Sequence, residues 1–507
     1  MASHQLREPS NSFLTLTLSS EAETRQLAED IALILKPGDV LCLSGDLGAG
    51  KSTFSRALIR NVAADYDLEV PSPTFTLVQP YDLARLNLSH FDLYRLEEPE
   101  ELEELGLEEL LEDGAALIEW PEKAEELLPD SALWLQFQHG DDEDTRQAVF
   151  FSEDPVWQER LEATLEIRAF LDETLEVTFE RHHLAGDASL RTFERIDKGG
   201  ESLVLMRWPF SDAMLPEPVR AYMDKVHLAK DCRSVAAVGQ ELRKAGIHAP
   251  AIKSADFQNG LVLSEYLGSE TIVIDGKPVP ERYFAAVDVL AAMHAHDFPE
   301  TVQLDTGDTY QVPLYSIDAL IAEASLFLDW YVPEMTGEPA SEHSKAEFEI
   351  LWRQALDACS TAQTGWVLRD FHSPNLLWQE QADGTDRIGI IDFQDTVIGP
   401  VAYDVASLLL DARTDIDASL ENALYDAYVK ARTEQSDSFD SQAFSNAYSI
   451  MAAQRITKIL GIFVRLARRD GKSAYLGHLP RMEAYLDRVL ASPVLSDLKK
   501  WYQQYRA

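Results

Sequence analysis

The chain has 507 residues, 46% hydrophobic and 26% charged, which is too long for one compact core and points to two or three ordinary globular domains. Its formal net charge of −43 at pH 7 repels phosphate backbones, so non-specific nucleic-acid or membrane binding is not expected. Three widely separated cysteines (Cys42, Cys232, Cys359) lack metal-ligand spacing, no run approaches the roughly 18 apolar residues of a membrane span, and the start MASHQLREPSNS lacks a signal-peptide pattern, so a reducing cytoplasm is expected.

Taken in chain order, VLCLSG predicts an apolar strand and KSTFSRALIRNVAA a helix opening directly after it. TFTLVQPY and LSHFDLY predict strands, and AALIEWP a buried strand ended by proline. Strands alternating with helix predict a doubly wound α/β sheet. Between the first strand and helix lies GDLGAGKS, a G-x-x-x-x-G-K-S loop in strand–loop–helix context. Gly45, Gly48 and Gly50 let backbone N–H groups, with those of Ala49 and Thr53, curl around phosphate oxygens. Lys51 would neutralise the β- and γ-phosphates, and Ser52 would ligate Mg²⁺ at the positive end of the helix. ATP and Mg²⁺ are therefore the expected ligands. From Glu97 to Glu126 acids crowd the chain, with Lys123 the only basic residue. A solvated helical face is the plain explanation, and a docking surface for a basic partner the alternative.

GDLGAGKSTF, SPTFTLVQPY, HFDLYRL and LIEWPEKAEELLP follow one another in the order of the TsaE family, bacterial ATPases that support threonylcarbamoylation of tRNA adenosine, and residues 15–150 closely resemble that family. The resemblance implies that Asp92 and Glu119 lie near the metal and attacking water, with Glu119 catalytic and Asp92 a metal ligand. It implies that Thr74 senses the γ-phosphate and that partners of the TsaB and TsaD type are served by ATP hydrolysis. Trp120 is equally well explained as packing.

Next comes DPVWQERLEATLEIRAFLDET, a polar helix-like segment whose Trp157, Leu161, Leu165 and Ile167 are too loosely spaced to announce a deep core helix. The expected division is a P-loop domain at 1–155, a linker helix at 156–175 and a second domain at 176–507, with its small lobe ending near 268. FERI, SLVLMRW and GLVLSEYL predict strands; the remainder is mostly helical up to a strand-like RIGIIDF. A mixed lobe followed by a helical one is the α+β layout of a two-lobed kinase.

VLRDFHSPNLLW places Asp370 and Asn375 at the D-x-x-x-x-N spacing of a kinase catalytic loop, and RIGIIDFQD brings Asp392 to a strand end some twenty residues later. Asp370 could orient and deprotonate an acceptor hydroxyl, while Asn375 and Asp392 supply hard oxygens for Mg²⁺. Leu368 replaces the usual loop histidine and Gln394 the D-F-G glycine, which argues against a protein kinase. Arg207 in SLVLMRW is a candidate phosphate contact or an exposed strand arginine. Glu241 is not expected to orient it. AGDASLRTFERI occupies the place of the nucleotide-covering loop with only Gly186. Backbone around Glu265–Leu267 would meet adenine. His294 and His296 are expected to be packed or solvated, and Asp404 to anchor the catalytic loop.

Together, AGDAS-x-R, LRDFHSPNLLW, IDFQD and GPVAYDVASLLLDAR resemble the AmgK-type kinases of N-acetylmuramate and N-acetylglucosamine, within the aminoglycoside-phosphotransferase class, over residues 165–500. The resemblance implies transfer of the ATP γ-phosphoryl to the C1 hydroxyl of a small amino sugar. Two rival readings remain: another acceptor hydroxyl (aminoglycoside, choline or homoserine), and a P-loop domain that assembles with partners without appreciable hydrolysis.

Overall fold

The computed structural model describes residues 12–505 apart from 141, 143–144, 185–190 and 212–213. The chain divides into two compact units, Met1–Asp187 with Phe193–Ser202, and Ala188–Thr192 with Leu203–Ala507. Gly186 and most of the AGDASLR loop lie outside the described residues.

In the first unit the elements run β1 (Leu14–Leu18), α1 (Glu21–Ile34), β2 (Val40–Ser44), α2 (Lys51–Ala63), β3 (Val78–Tyr81), β4 (Asn87–Asp92), α3 (Glu101–Glu104), α4 (Leu107–Leu111), β5 (Gly114–Glu119), β6 (Leu133–His139), β7 (Arg146–Phe151), α5 (Pro155–Leu175), β8 (Glu180–Leu184) and β9 (Thr192–Lys198). Seven strands form one mixed sheet, ordered β1-β7-β6-β2-β5-β4-β3. Strand β2, buried at every position, lies parallel to β5 and β6, and β4 lies parallel to β5. An unbroken apolar run suits such a strand, because helices or loops cover both faces of a parallel sheet. Register then does the positioning: Asp92 pairs with Glu119, and Leu43 with Glu119, so the acids meet beside the start of the phosphate loop.

Two sequence expectations are corrected in this unit. TFTLVQPY is a strand only from Val78. Its first half folds into a turn closed by Leu77 N–H donating to Pro73 O (2.7 Å), with Leu77 at φ 66°, because Ser72 and Thr74 bond Asp92 instead of a neighbouring strand. The segment after Asp154 is a deep helix. Along α5 the residues Trp157, Leu161, Thr164, Arg168, Leu171 and Leu175 are buried at helical spacing. The stripe is hard to read because two of its members are polar. Thr164 donates to Asp30 O (3.3 Å), and Arg168 pairs with the Asp30 carboxylate on α1 at 2.7 Å. Asp30 also receives Arg181 Nη1 of β8 at 2.5 Å, and Arg181 forms a second pair with Glu194 of β9 (2.7 Å), so the β8–β9 hairpin is held by ions as well as by its ladder.

The second unit opens with β10 (Glu201–Arg207), α6 (Glu217–Lys225), α7 (Arg233–Lys244), β11 (Ile252–Asp256) and β12 (Leu261–Glu265). Strand β12 pairs antiparallel with both β10 and β11. It continues through α8 (Pro280–Ala295) and α9 (Ile317–Ala324) into a helical body organised around the 29-residue helix Ser441–Arg469. Within that body two short hairpins, Leu376–Trp378 with Ile388–Ile390 and Thr364–Val367 with Val397–Pro400, carry the catalytic-loop region. His294 is buried and its Nδ1 lies 2.7 Å from the Tyr428 hydroxyl, whereas His296 stands exposed against the Phe298 ring. No helix among the described residues is long and apolar enough to cross a membrane.

Candidate functional sites

The phosphate loop bridges β2 and α2 with Gly45, Gly48 and Gly50 all at positive φ, at 127°, 83° and 121°. A Cβ at Gly45 would stand 2.4 Å from Phe137 O on β6, so glycine is required there by contact as well as by conformation. Ala49 is buried; Ser52 and Thr53 lie half-buried in the first turn of α2. The Lys51 Nζ donates to Gly45 O (2.6 Å) and Asp46 O (3.0 Å) and sits 3.8 Å over the Trp120 ring. Burial pushes its ammonium below the usual lysine range, against the pull of Glu119, Glu122, Asp46 and Asp92. Trp120 itself is at φ 60° and packs on Tyr94, with ring centroids 5.1 Å apart.

Glu119 is only 2% exposed. Its Oε2 accepts from Ser52 Oγ (3.1 Å), its Oε1 accepts from Ser55 Oγ (2.7 Å), and His90 Nε2 lies 3.1 Å from Oε1. Burial alone would raise this carboxyl, but the bonds to His90, Ser55 and Ser52 outweigh it and hold the group below its ordinary range. Asp92 has a separate circle of donors: Ser72 Oγ at 2.8 Å, Thr74 Oγ1 at 2.5 Å and Tyr94 N–H at 3.1 Å. Thr74 is thereby tied to Asp92, and Ser52 to Glu119. His90 and Ser55 are site residues not singled out above, although both lie inside or beside the motifs.

In the second unit the catalytic loop is fixed from beneath. Asp404 accepts Leu368 N–H (2.6 Å) and Arg369 N–H (2.9 Å), the anchoring expected of it. Burial pushes its carboxyl up to about 7 despite those two bonds. Arg369 stands at φ 71°, a region costing a non-glycine residue about 1–3 kcal/mol, and is held there by Asp404, Val226 O (3.0 Å) and an ion pair with buried Glu323. Lys458 and the Tyr315 hydroxyl also bond Glu323.

Asp370, Asn375 and Asp392 converge. Asn375 Nδ2 donates to Asp370 O (3.0 Å) and, more weakly, to Asp392 Oδ2 (3.4 Å). The Asp370 carboxylate is partly open, with His372 Nε2 at 3.7 Å. Desolvation would raise Asp370, but His372, then Lys458 and Arg455, pull it well below the usual carboxylate range. It is therefore an anion at neutral pH, as an acceptor of a hydroxyl proton must be.

The cation at Asp392 is Arg191, whose Nη1 lies 2.9 Å from Asp392 Oδ1. Arg191 is the arginine of the AGDAS-x-R motif, to which the sequence alone gave no role. Arg207 ends β10 in register with Leu261, and Glu241 is engaged by Lys244 (2.7 Å) and Gln240 (3.1 Å). Around the expected adenine contact, Glu265 N–H donates to Ala251 O (2.9 Å) and Leu267 O accepts from Gln379 Nε2 (2.8 Å).

The chemistry of these donors suits Mg²⁺ bound with a nucleotide. Asn375 and Asp392 offer hard oxygens, as do Ser52 and Asp92, and one or two protein oxygens suffice when phosphates and water complete the shell. No group of three or more His, Cys, Asp or Glu side chains forms a dedicated metal cage among the described residues.

Comparison with known proteins assigns each unit. Residues 18–148 match the model of the threonylcarbamoyl adenosine biosynthesis protein TsaE, and residues 180–437 that of the phosphotransferase enzyme family. The chain belongs to both families. An N-acetylmuramate/N-acetylglucosamine kinase of Caulobacter vibrioides is 34% identical over 338 residues, covering 64% of this chain and 92% of that protein. The TsaE of Rickettsia bellii is 42% identical over 126 residues, 25% of this chain and 87% of that protein. The TsaE of Rickettsia conorii is 47% identical over 112 residues, 22% of this chain and 63% of the relative. Nucleotide use by both halves follows from the two families.

Proposed function

We propose that the chain is a bifunctional enzyme: an ATPase supporting N6-threonylcarbamoyladenosine modification of tRNA, followed by an ATP-dependent kinase for the anomeric hydroxyl of N-acetylmuramate and N-acetylglucosamine. The first chemistry belongs to residues before about 155 and the second to those after about 176. The observation that carries the kinase reading is the convergence of Asp370, Asn375 and Asp392, with Asn375 bridging the other two. Asp370 takes the proton of the C1 hydroxyl as it attacks the γ-phosphorus in line. Asn375 and Asp392 would hold Mg²⁺, which would supply charge neutralisation to the phosphates, and Arg191 supplies positive charge as the leaving ADP develops negative charge. Arg207, Glu265 and Leu267 lie on the nucleotide side of this reading.

In the first unit Gly45, Gly48, Ala49, Gly50, Lys51 and Thr53 cradle the nucleotide, and Ser52 and Asp92 would hold a Mg²⁺ that neutralises its phosphates. Glu119, ionised and beside Ser52, orients the attacking water, and Thr74 reads the γ-phosphate through Asp92. The partners are proteins of the TsaB and TsaD type, the compartment is the cytoplasm, and tRNA is reached through those partners, in keeping with the net charge of −43.

An acceptor screen with ATP tests the kinase half. Turnover of the two N-acetyl sugars above amine-bearing alcohols is expected; the reverse order would discard the cell-wall assignment. For the first half, partner-dependent tRNA modification should be lost with Lys51→Ala. Undiminished modification would make this unit an assembly module.

A further inference from the structure

Three side chains hold the Glu119 carboxylate, and two of them are shared with other groups. The Ser55 hydroxyl, 2.7 Å from Oε1, also has Lys51 O in reach at 3.0 Å, the usual helical acceptor four residues back. Ser52, 3.1 Å from Oε2, is the loop serine suited to ligate the metal. His90 differs. It is 2% exposed, its Nε2 lies 3.1 Å from Glu119 Oε1, and its Nδ1 is buried without a hydrogen-bond partner among the described residues. Glu119 is therefore the ring's one partner among those residues, in a place where an apolar side chain would be cheaper to bury. The sheet accounts for the reach. His90 and Asp92 project from one face of β4, and in the parallel register with β5 they stand opposite Leu117 and Glu119. His90 meets Glu119 diagonally, two positions along the neighbouring strand.

A carboxylate offers about four acceptor positions. Ser55 and His90 fill those on Oε1 and Ser52 fills one on Oε2, so the position left open among the described residues is on Oε2, beside the phosphate loop. This requires a hydrogen on His90 Nε2. With that nitrogen bare, its lone pair would face a carboxylate oxygen across a buried contact.

We propose that His90 is a positioning residue of the first site: it occupies Oε1 of Glu119 and so presents Oε2 to the attacking water. The inference rests on the proposed ATPase reading, in which Glu119 is the group that orients that water.

The test uses the full chain without sugar, taking as first-unit hydrolysis the ATP turnover that Lys51→Ala abolishes. Values of kcat and KM for ATP are compared in wild type, His90→Leu, His90→Gln and Glu119→Gln. Losing a hydrogen bond to a charged group should lower kcat roughly 10–100-fold in His90→Leu, with KM for ATP changed less than about twofold. His90→Gln, whose amide nitrogen can stand where Nε2 stood, should recover at least about a third of the wild-type kcat. An unchanged kcat in His90→Leu, a change confined to KM, or no recovery in His90→Gln would overturn the proposal and make His90 a packing residue. Glu119→Gln separates the two possible failures. If it hydrolyses ATP at the wild-type rate, the reading of Glu119 fails and this inference with it; if it is slow while His90→Leu is not, this inference alone fails. A measurement without turnover decides the matter even where variants of His90 do not fold. In NMR of the chain labelled with nitrogen-15 histidine, the His90 ring should carry a hydrogen on Nε2, and its signal should move in Glu119→Gln; a bare Nε2 would overturn the proposal.

Discussion

The two phosphate-handling sites of this chain solve the same electrostatic problem in opposite ways. In the first unit the positive field comes from backbone N–H groups and one lysine, all within a single loop, while the acids are met mainly by hydroxyl and backbone donors: Glu119 by Ser52 and Ser55, with His90 at 3.1 Å, and Asp92 by Ser72, Thr74 and the Tyr94 N–H. In the second unit charged side chains do the same work from distant parts of the chain. Arg191 pairs with Asp392, and Arg369 and Lys458 share Glu323. A loop that binds through its backbone must be contiguous and glycine-rich. A site that binds through side chains can be assembled from anywhere, provided the fold holds each residue firmly.

The largest effect that sharpens this contrast is expected from Lys51→Ala. One lysine carries the side-chain charge of the first site, so ATP hydrolysis should fall roughly a hundredfold or more, with sugar phosphorylation nearly unchanged. Steady-state ADP release without and with sugar separates the two. A fall of less than about fivefold in hydrolysis would break the contrast.

Asp404→Ala should act through the loop it holds. Losing the acceptor of two buried N–H groups is expected to cost about 2–4 kcal/mol in urea unfolding of the second unit and to lower kcat sharply. Asp404→Asn, which keeps one acceptor oxygen, should recover part of both.

His294 gives a pH signature to the same unit. Burial, with Arg432 adding to it, lowers its imidazole from 6.5 to about 3. Above pH 6.5 the histidine is neutral folded or unfolded and contributes no slope. As pH falls below 6.5 the unfolded chain takes a proton that the folded one refuses, so stability is lost at up to about 1.4 kcal/mol per pH unit. Urea midpoints between pH 4 and 7 should show a shallower acid limb in His294→Gln; an unchanged limb would contradict the buried neutral assignment.

The smallest effect concerns Arg191. Shared with other charges, it should raise KM for ATP about tenfold on Arg191→Ala, or about 1.4 kcal/mol. An equal change in Arg207→Ala, with none in Arg191→Ala, would move the phosphate contact back to β10.

The same contrast explains what could be read beforehand. Both folds were legible, because apolar strands such as VLCLS and GLVLSEYL and the loop between β2 and α2 leave contiguous patterns. Asp370, Asn375 and Asp392 were legible by spacing, and the structure brings them together. Glu323 was not, since an isolated charged residue has no period and its partners Arg369 and Lys458 lie 46 and 135 positions away. Helix α5 was misread for a related reason: Thr164 and Arg168 interrupt its apolar stripe, yet both are buried because Asp30 on α1 answers them. Sequence periodicity registers hydrophobic burial and is blind to burial made possible by a partner charge.

The central claim is that Asp370 drives phosphoryl transfer to a sugar's anomeric hydroxyl. Its most direct test is ATP-dependent phosphorylation of N-acetylmuramate and N-acetylglucosamine, with the product's phosphate located by NMR, in wild type and Asp370→Ala. Transfer to C1 by wild type and a loss of roughly a hundredfold or more in the variant are predicted. Transfer to neither sugar by well-folded wild type, or undiminished transfer by Asp370→Ala, would contradict the account.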